Sequence, residues 1–194
     1  MCGRFYLDAD FAEILKRYGL GGSRISYEAK SEIFPSEKSI VVLSNGKRHL
    51  KRLKWGFLPP YAKKPIINAR SETVFEKPLF RDAAINRRCL IPANGYFEWE
   101  KEGNKKEKRE ISDPGGEILS LGGIYEEFED KNGITQLCFA ILTRDVVAGI
   151  SGVHNRMPVI IQKDNEEKWL DNDERSIPAL KSIATQYDRK LKVK

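Results

Sequence analysis

Ligating side chains are scarce in this sequence. Only His49 and His154 occur in 194 residues, with three cysteines, Cys2, Cys89 and Cys138, at wide separation. No pair has metal-ligand spacing, so neither a metal site nor a disulfide framework is expected, and no cofactor is called for. No apolar run approaches the roughly 20 residues of a membrane span. The first residues lack the basic-then-apolar layout of a signal peptide, so a reducing cytoplasm is the expected setting. Repeats, low-complexity segments and linkers are also missing. A single domain over residues 1–194 is expected, with 189–194 as a frayed basic tail and a monomer as the default.

What is present is charge. Lysine and arginine number 34 against 28 acidic residues, a net charge of +6. That balance favours a polyanionic partner, though weakly. Much of it sits in KEGNKKEKRE (101–110), which reads as a solvated hairpin tip, and in the last five residues.

The pattern along the chain is α+β. Asp8 is the expected cap of a helix that places Phe11, Ile14, Leu15 and Tyr18 on one face and stops at Gly19. Strands are expected at 39–43, 47–55, 65–70, 88–91, 95–100, 109–112, 117–128 and 134–143, with another ending the stretch 153–161. Turns are expected at Asn45-Gly46, Gly103-Asn104 and Lys131-Asn132-Gly133. Helices are expected at 79–87, from Asp164 through Leu170, and at 177–187 with Pro178 in the first turn. The fold class is therefore a single α+β domain of many short, mostly antiparallel strands in a barrel-like mixed sheet, with peripheral helices.

Cys89 and Cys138 lie in apolar strand-like runs, where a free cysteine is a small buried hydrophobe. Cys2 is different. Small residues at position two permit removal of the initiator methionine, which would leave an α-amine and a thiol on adjacent carbons.

Six segments carry a resemblance. MCGRF (1–5), KWGFLP (54–59), NARSET (68–73), RRCLIPANGYFEW (87–99), FAILT (139–143) and HNRMPVI (154–160) follow the order and rough spacing of the SOS-response-associated peptidase (SRAP) family. The similarity runs from residue 2 to about residue 170. Glu32 stands where the family often has asparagine, and Lys77 and Pro78 stand where some members have arginine. The resemblance implies a sensor of abasic sites in single-stranded DNA that bonds covalently to the abasic sugar through Cys2. It also implies autoproteolytic exposure of that cysteine, and association with the nucleoid when DNA is bound.

The chemistry is sound on its own terms. A ring-opened abasic sugar presents an aldehyde. An α-amine has a reference pKa of about 7.7–8.0, against about 10.4 for lysine, so much more of it is neutral near pH 7. It can form a Schiff base, and the Cys2 thiol can then close a five-membered thiazolidine ring.

Proton transfer falls to Glu98 and His154. Strand alternation by itself allows Glu98 to face solvent between aromatics; the resemblance favours an inward, catalytic position. Asn68 is expected to orient the amine or bond the sugar. Arg70 and Arg156 are expected to clamp phosphates, with Arg4 contributing. Trp55 and Met157-Pro158 are candidates for a stacking platform, although a core position is the default for Trp55. Thr143 is expected to approach the site. Strand cleavage by β-elimination is a possible side activity. Two alternatives stay open: a cysteine peptidase acting through Cys2 and His154, and a non-catalytic binder of modified DNA.

Overall fold

The computed structural model describes residues 2–103, 105–130, 132–147, 152–187 and 189–194. The expectations placed on Met1, Asn104 and Lys131 lie outside the described residues. The strands are β1 (Arg4–Leu7), β2 (Lys30–Ile33), β3 (Lys38–Ser44), β4 (Arg48–Trp55), β5 (Asn68–Arg70), β6 (Arg88–Ala93), β7 (Gly95–Glu102), β8 (Lys105–Ser112), β9 (Leu119–Glu129), β10 (Thr135–Asp145), β11 (Arg156–Pro158) and β12 (Lys192–Val193). The helices are α1 (Phe11–Tyr18), α2 (Pro78–Asn86), α3 (Glu166–Leu170) and α4 (Ile177–Thr185).

The larger sheet closes on itself. Its order runs β10-β4-β3-β6-β9, and β9 pairs back onto β10 from Thr135–Glu129 to Ile141–Gly123. Closure removes the open edges of the barrel. The β10–β4 and β10–β5 pairings are parallel and the others antiparallel, which makes the barrel mixed. Gly123 permits the closure: a Cβ there would stand 2.3 Å from Ile91 Cδ1 and 3.0 Å from Ala140 O. A smaller antiparallel sheet, ordered β12-β8-β7-β1-β2, packs beside it. The core holds Phe5, Leu53, Trp55, Phe57, Leu90, Phe139 and Trp169, all fully buried. The α+β expectation, with a barrel-like mixed sheet, holds.

Three details differ from the sequence reading. Asp10, not Asp8, precedes α1, and its side chain makes no cap bond. Asn94 Oδ1 braces the chain ahead of the helix instead, accepting from Asp8 N at 3.1 Å and Ala9 N at 3.2 Å, bonds the sequence reading did not foresee. The tail is not wholly frayed, because Lys192 and Val193 pair with Ser112 and Ile111 on β8.

Buried charge ties the helices to the barrel. Glu166, fully buried on α3, accepts from Arg17 at 2.6 Å, Arg48 at 3.3 Å and the Ser120 hydroxyl at 2.6 Å. Arg88 is equally buried. It donates to the carbonyls of Trp169, Ala84, Ile85, Asp171 and Glu174, tying the C-terminal end of α2 to the C-terminal end of α3 and the turn that follows it.

Candidate active site

Cys2 is 0% exposed and packs with the core, as Cys89 and Cys138 do. The β1–β7 register sets Arg4 opposite Phe97, which brings the residues just ahead of β1 alongside the middle of β7. Cys2 Sγ faces the Arg4 carbonyl at 3.7 Å. Its own carbonyl accepts from Asn68 Nδ2 at 2.8 Å. Asn68 opens β5, which the barrel holds through its pairing with Ile141 on β10. The other amide atom, Asn68 Oδ1, is buried and has no hydrogen-bond partner among the described residues.

Glu98 points inward. It is 3% exposed and shares the inner face of β7 with Tyr96, while Phe97 and Trp99 take the outer face. Burial first, and then the neighbouring Glu98 charge, push the Cys2 thiol well above its ordinary pKa, so the thiol is protonated at neutral pH. Burial likewise raises Tyr96, with Cys2 and Glu98 adding to the effect.

Glu98, His154, Arg156 and Tyr96 line one small cavity of about 10 Å³, closed by Ile111, Val146 and Val153. His154 Nδ1 accepts from the Arg156 backbone N–H at 2.9 Å. In the neutral ring that leaves the proton on Nε2, which is then a donor.

Arg156 is tied down by protein. Its Nη1 and Nη2 donate to Glu72 Oε1 and Oε2 at 2.7 and 2.9 Å, Nη1 also to Asp145 at 2.6 Å, and Nη2 to the Thr143 carbonyl at 2.7 Å. Those bonds occupy the fork that the sequence reading assigned to phosphate; only Nε, buried and without a hydrogen-bond partner, is left over. Thr143 is fully buried, with its hydroxyl 3.5 Å from the Ala69 carbonyl and 3.4 Å from Arg156 Nη2.

Arg70 is exposed and lines an open apolar groove of about 590 Å³ with Tyr61, Ile66, Leu79, Phe80 and Lys77. Asn68 and Thr143 form its inner wall. Arg4 lies on the outer face of β1, beside Phe34 and Trp99.

The stacking platform is corrected. Trp55 is fully buried, stacked on Phe139 with ring centroids 6.2 Å apart, and its Nε1 donates to the Ile67 carbonyl at 3.0 Å. Met157 and Pro158 are buried on β11. None of the three offers a face to a base, because each fills the barrel interior or its seam. The accessible ring beside the site is Tyr61, 74% exposed, which the sequence reading passed over although it closes the run LPPY. Glu72 was also missed, although it lies within NARSET.

Among the described residues, no group of three or more His, Cys, Asp or Glu is placed to hold a metal, and no helix is long and apolar enough to cross a membrane.

A buried cysteine at position two, its carbonyl held by an asparagine, and a glutamate and a histidine around one small cavity thus stand on a mixed barrel. The chain belongs to the SOS response associated peptidase (SRAP) family, whose match covers residues 1–194. It is 32% identical to the abasic site processing protein YoaM of Bacillus subtilis, over 97% of this chain and 87% of that protein. It is 27% identical to the abasic site processing protein YedK of Escherichia coli, over 88% of this chain and 79% of that one. The abasic site processing protein HMCES of Xenopus tropicalis is 26% identical, over 77% of this chain and 56% of that longer protein. A crystal structure of a protein from Bacteroides thetaiotaomicron superposes with a TM-score of 0.85 at 26% identity, covering 99% of this chain and 90% of that one.

Proposed function

We propose that this protein processes abasic sites in single-stranded DNA by bonding covalently to the sugar through Cys2 once Met1 is removed. The observation that carries the reading is the set of groups around Cys2. Asn68 grips the Cys2 carbonyl at 2.8 Å, and its second amide atom is a buried acceptor without a partner. An α-amine uncovered at Cys2 supplies the N–H that this acceptor needs.

The neutral amine attacks the sugar aldehyde to give a carbinolamine. Loss of water gives the imine, and the thiol then adds to the imine carbon while the nitrogen takes up a proton. Aldehyde and aminothiol become thiazolidine and one water. Glu98 carries protons between thiol, nitrogen and leaving water, and His154 offers Nε2–H to the sugar oxygen. A thiol that stays protonated until the imine forms suits this order, because the amine acts first. The same imine acidifies the adjacent C–H, so β-elimination is an accessible side reaction.

The apolar groove lined by Tyr61, Arg70 and Lys77 is the proposed path for the strand, with Tyr61 stacking a base and Arg70 meeting a phosphate. The peptidase reading fits less well. A peptidase needs a thiolate and a histidine base, whereas here the thiol is held protonated and His154 Nδ1 is already an acceptor.

The test is a denaturing gel after incubation with single-stranded DNA carrying one abasic site. The Met1-free protein should give a heat-stable adduct. Cys2→Ala should give none, and Cys2→Ser only an imine trapped by borohydride. An adduct of equal stability from N-acetylated protein would exclude the proposal.

A further inference from the structure

The outer face of the smaller sheet carries charges that the proposed chemistry does not use. Glu32 on β2 and Lys108 on β8 are separated by the strands β1 and β7. Their ends nevertheless meet, with Lys108 Nζ donating to Glu32 Oε1 at 2.8 Å. Arg4 Nη1 donates to the same oxygen at 2.8 Å. The Arg4 guanidinium lies 4.3 Å from the Phe34 ring centroid and 5.1 Å from that of Trp99, and the Lys108 ammonium sits 3.9 Å over Phe97. One carboxylate oxygen thus draws two cations across three aromatic rings, two residues from Cys2. The charged side chains remain accessible, at 35% for Arg4, 23% for Glu32 and 39% for Lys108. Burial alone would raise the Glu32 carboxyl, but the hydrogen bonds from Lys108 and Arg4 outweigh it and hold the pKa below the usual range.

Cations beside aromatic rings make up the composition of a single-strand groove. A carboxylate and a phosphate compete for the same donors. Ion pairs this exposed are weak, so displacing one costs little. Glu32 is also a residue at which this chain departs from the pattern that its sequence otherwise resembles.

We propose that Glu32 is an internal placeholder for a backbone phosphate: it holds Arg4 and Lys108 in the DNA-free protein, and a strand entering beside Cys2 displaces it. This rests on the reading that the strand passes Cys2. Glu32 then sets how tightly the chain grips DNA. Once displaced, it stays close and repels the strand.

The experiment measures binding of an unmodified single-stranded oligonucleotide by fluorescence anisotropy across a salt series. The proteins are the wild type, Glu32→Gln, Arg4→Gln, the double variant, and Glu117→Gln. The last removes the same charge at an exposed pair with Arg189 away from the site. Glu32→Gln should bind about three- to tenfold tighter at low salt. Its log K against log salt should steepen by about 0.7, one phosphate's worth for a single strand. Glu117→Gln should gain less, and the Glu32→Gln gain should shrink when Arg4 is already replaced. Unchanged or weaker binding by Glu32→Gln overturns the proposal. So does an equal gain in Glu117→Gln, or an undiminished gain in the double variant. An unmodified strand keeps the two ideas apart. If abasic DNA gives no adduct while the Glu32→Gln gain stands, only the covalent chemistry falls. If neither wild type nor Glu32→Gln binds any strand, the placeholder falls with it.

Discussion

At the scale of single residues, Glu98 decides the most. It is buried beside Cys2, and the proposed role there is to carry protons rather than to bind the strand. Glu98→Gln should therefore slow adduct formation by about 10²–10⁴-fold while leaving oligonucleotide affinity within about twofold. Single-turnover gels and anisotropy separate the two effects, and a parallel loss of affinity would remove Glu98 from the catalytic role. Asn68→Ala should slow the reaction too. It frees the Cys2 carbonyl and deletes the waiting acceptor, so its defect should combine with that of Glu98→Gln less than additively if both act on one intermediate. Much of this site was legible in the sequence, since Cys2, Asn68, Glu98 and His154 all stand in the quoted segments. Arg156 was legible as a charge but not as a pinned one, because Glu72 comes from a distant segment and Asp145 meets it only through the β10–β11 pairing.

Single elements show why sequence patterning misleads where chemistry is done. On β7 the outer residues, Phe97 and Trp99, are more apolar than Glu98, which faces in. Alternation read by hydrophobicity alone inverts the strand. If Glu98 carries out the proposed proton transfer, this inversion is the local violation expected at a functional position. Elsewhere the elements obeyed their signals. Gly19 stops α1 in the left-handed region at φ 66°, and Pro178 sits in the first turn of α4. β1, β2 and β12 escaped notice because two to four residues carry too little periodicity to detect. Helix α3 depends on charge more than on length. Glu166→Ala would leave Arg17 and Arg48 facing a buried void. It should cost about 3–5 kcal/mol, read from the midpoint of urea unfolding. A loss below about 1 kcal/mol would mean that water already shields the pair.

For the whole molecule, closure was not legible, because register and pairing partners leave little trace in one sequence. β10 alone touches β4, β5, β9 and β11, which no periodicity foretells. Burial on this scale has a consequence for pH. The thiols of Cys2, Cys89 and Cys138 are all raised by burial, and the Tyr27 hydroxyl is raised to about 12. In the unfolded chain such thiols ionise near pH 8.5 and tyrosine near 10. A group with a raised folded pKa contributes stability in full below its unfolded pKa and loses it as pH rises. The thermal midpoint should therefore hold below about pH 8.5 and fall progressively above it, more steeply past pH 10. A flat midpoint from pH 8 to 11 would contradict this burial.

The seat of Cys2 is assembled from both halves of the polypeptide: Asn68 from one, Glu98 from the middle, His154 from the other. A fragment ending before β10 lacks His154 and also the strand on which β5, and with it Asn68, is paired. On the proposed reading, Cys2 would therefore reach full reactivity only after β10 and the segment carrying His154 have been made and folded.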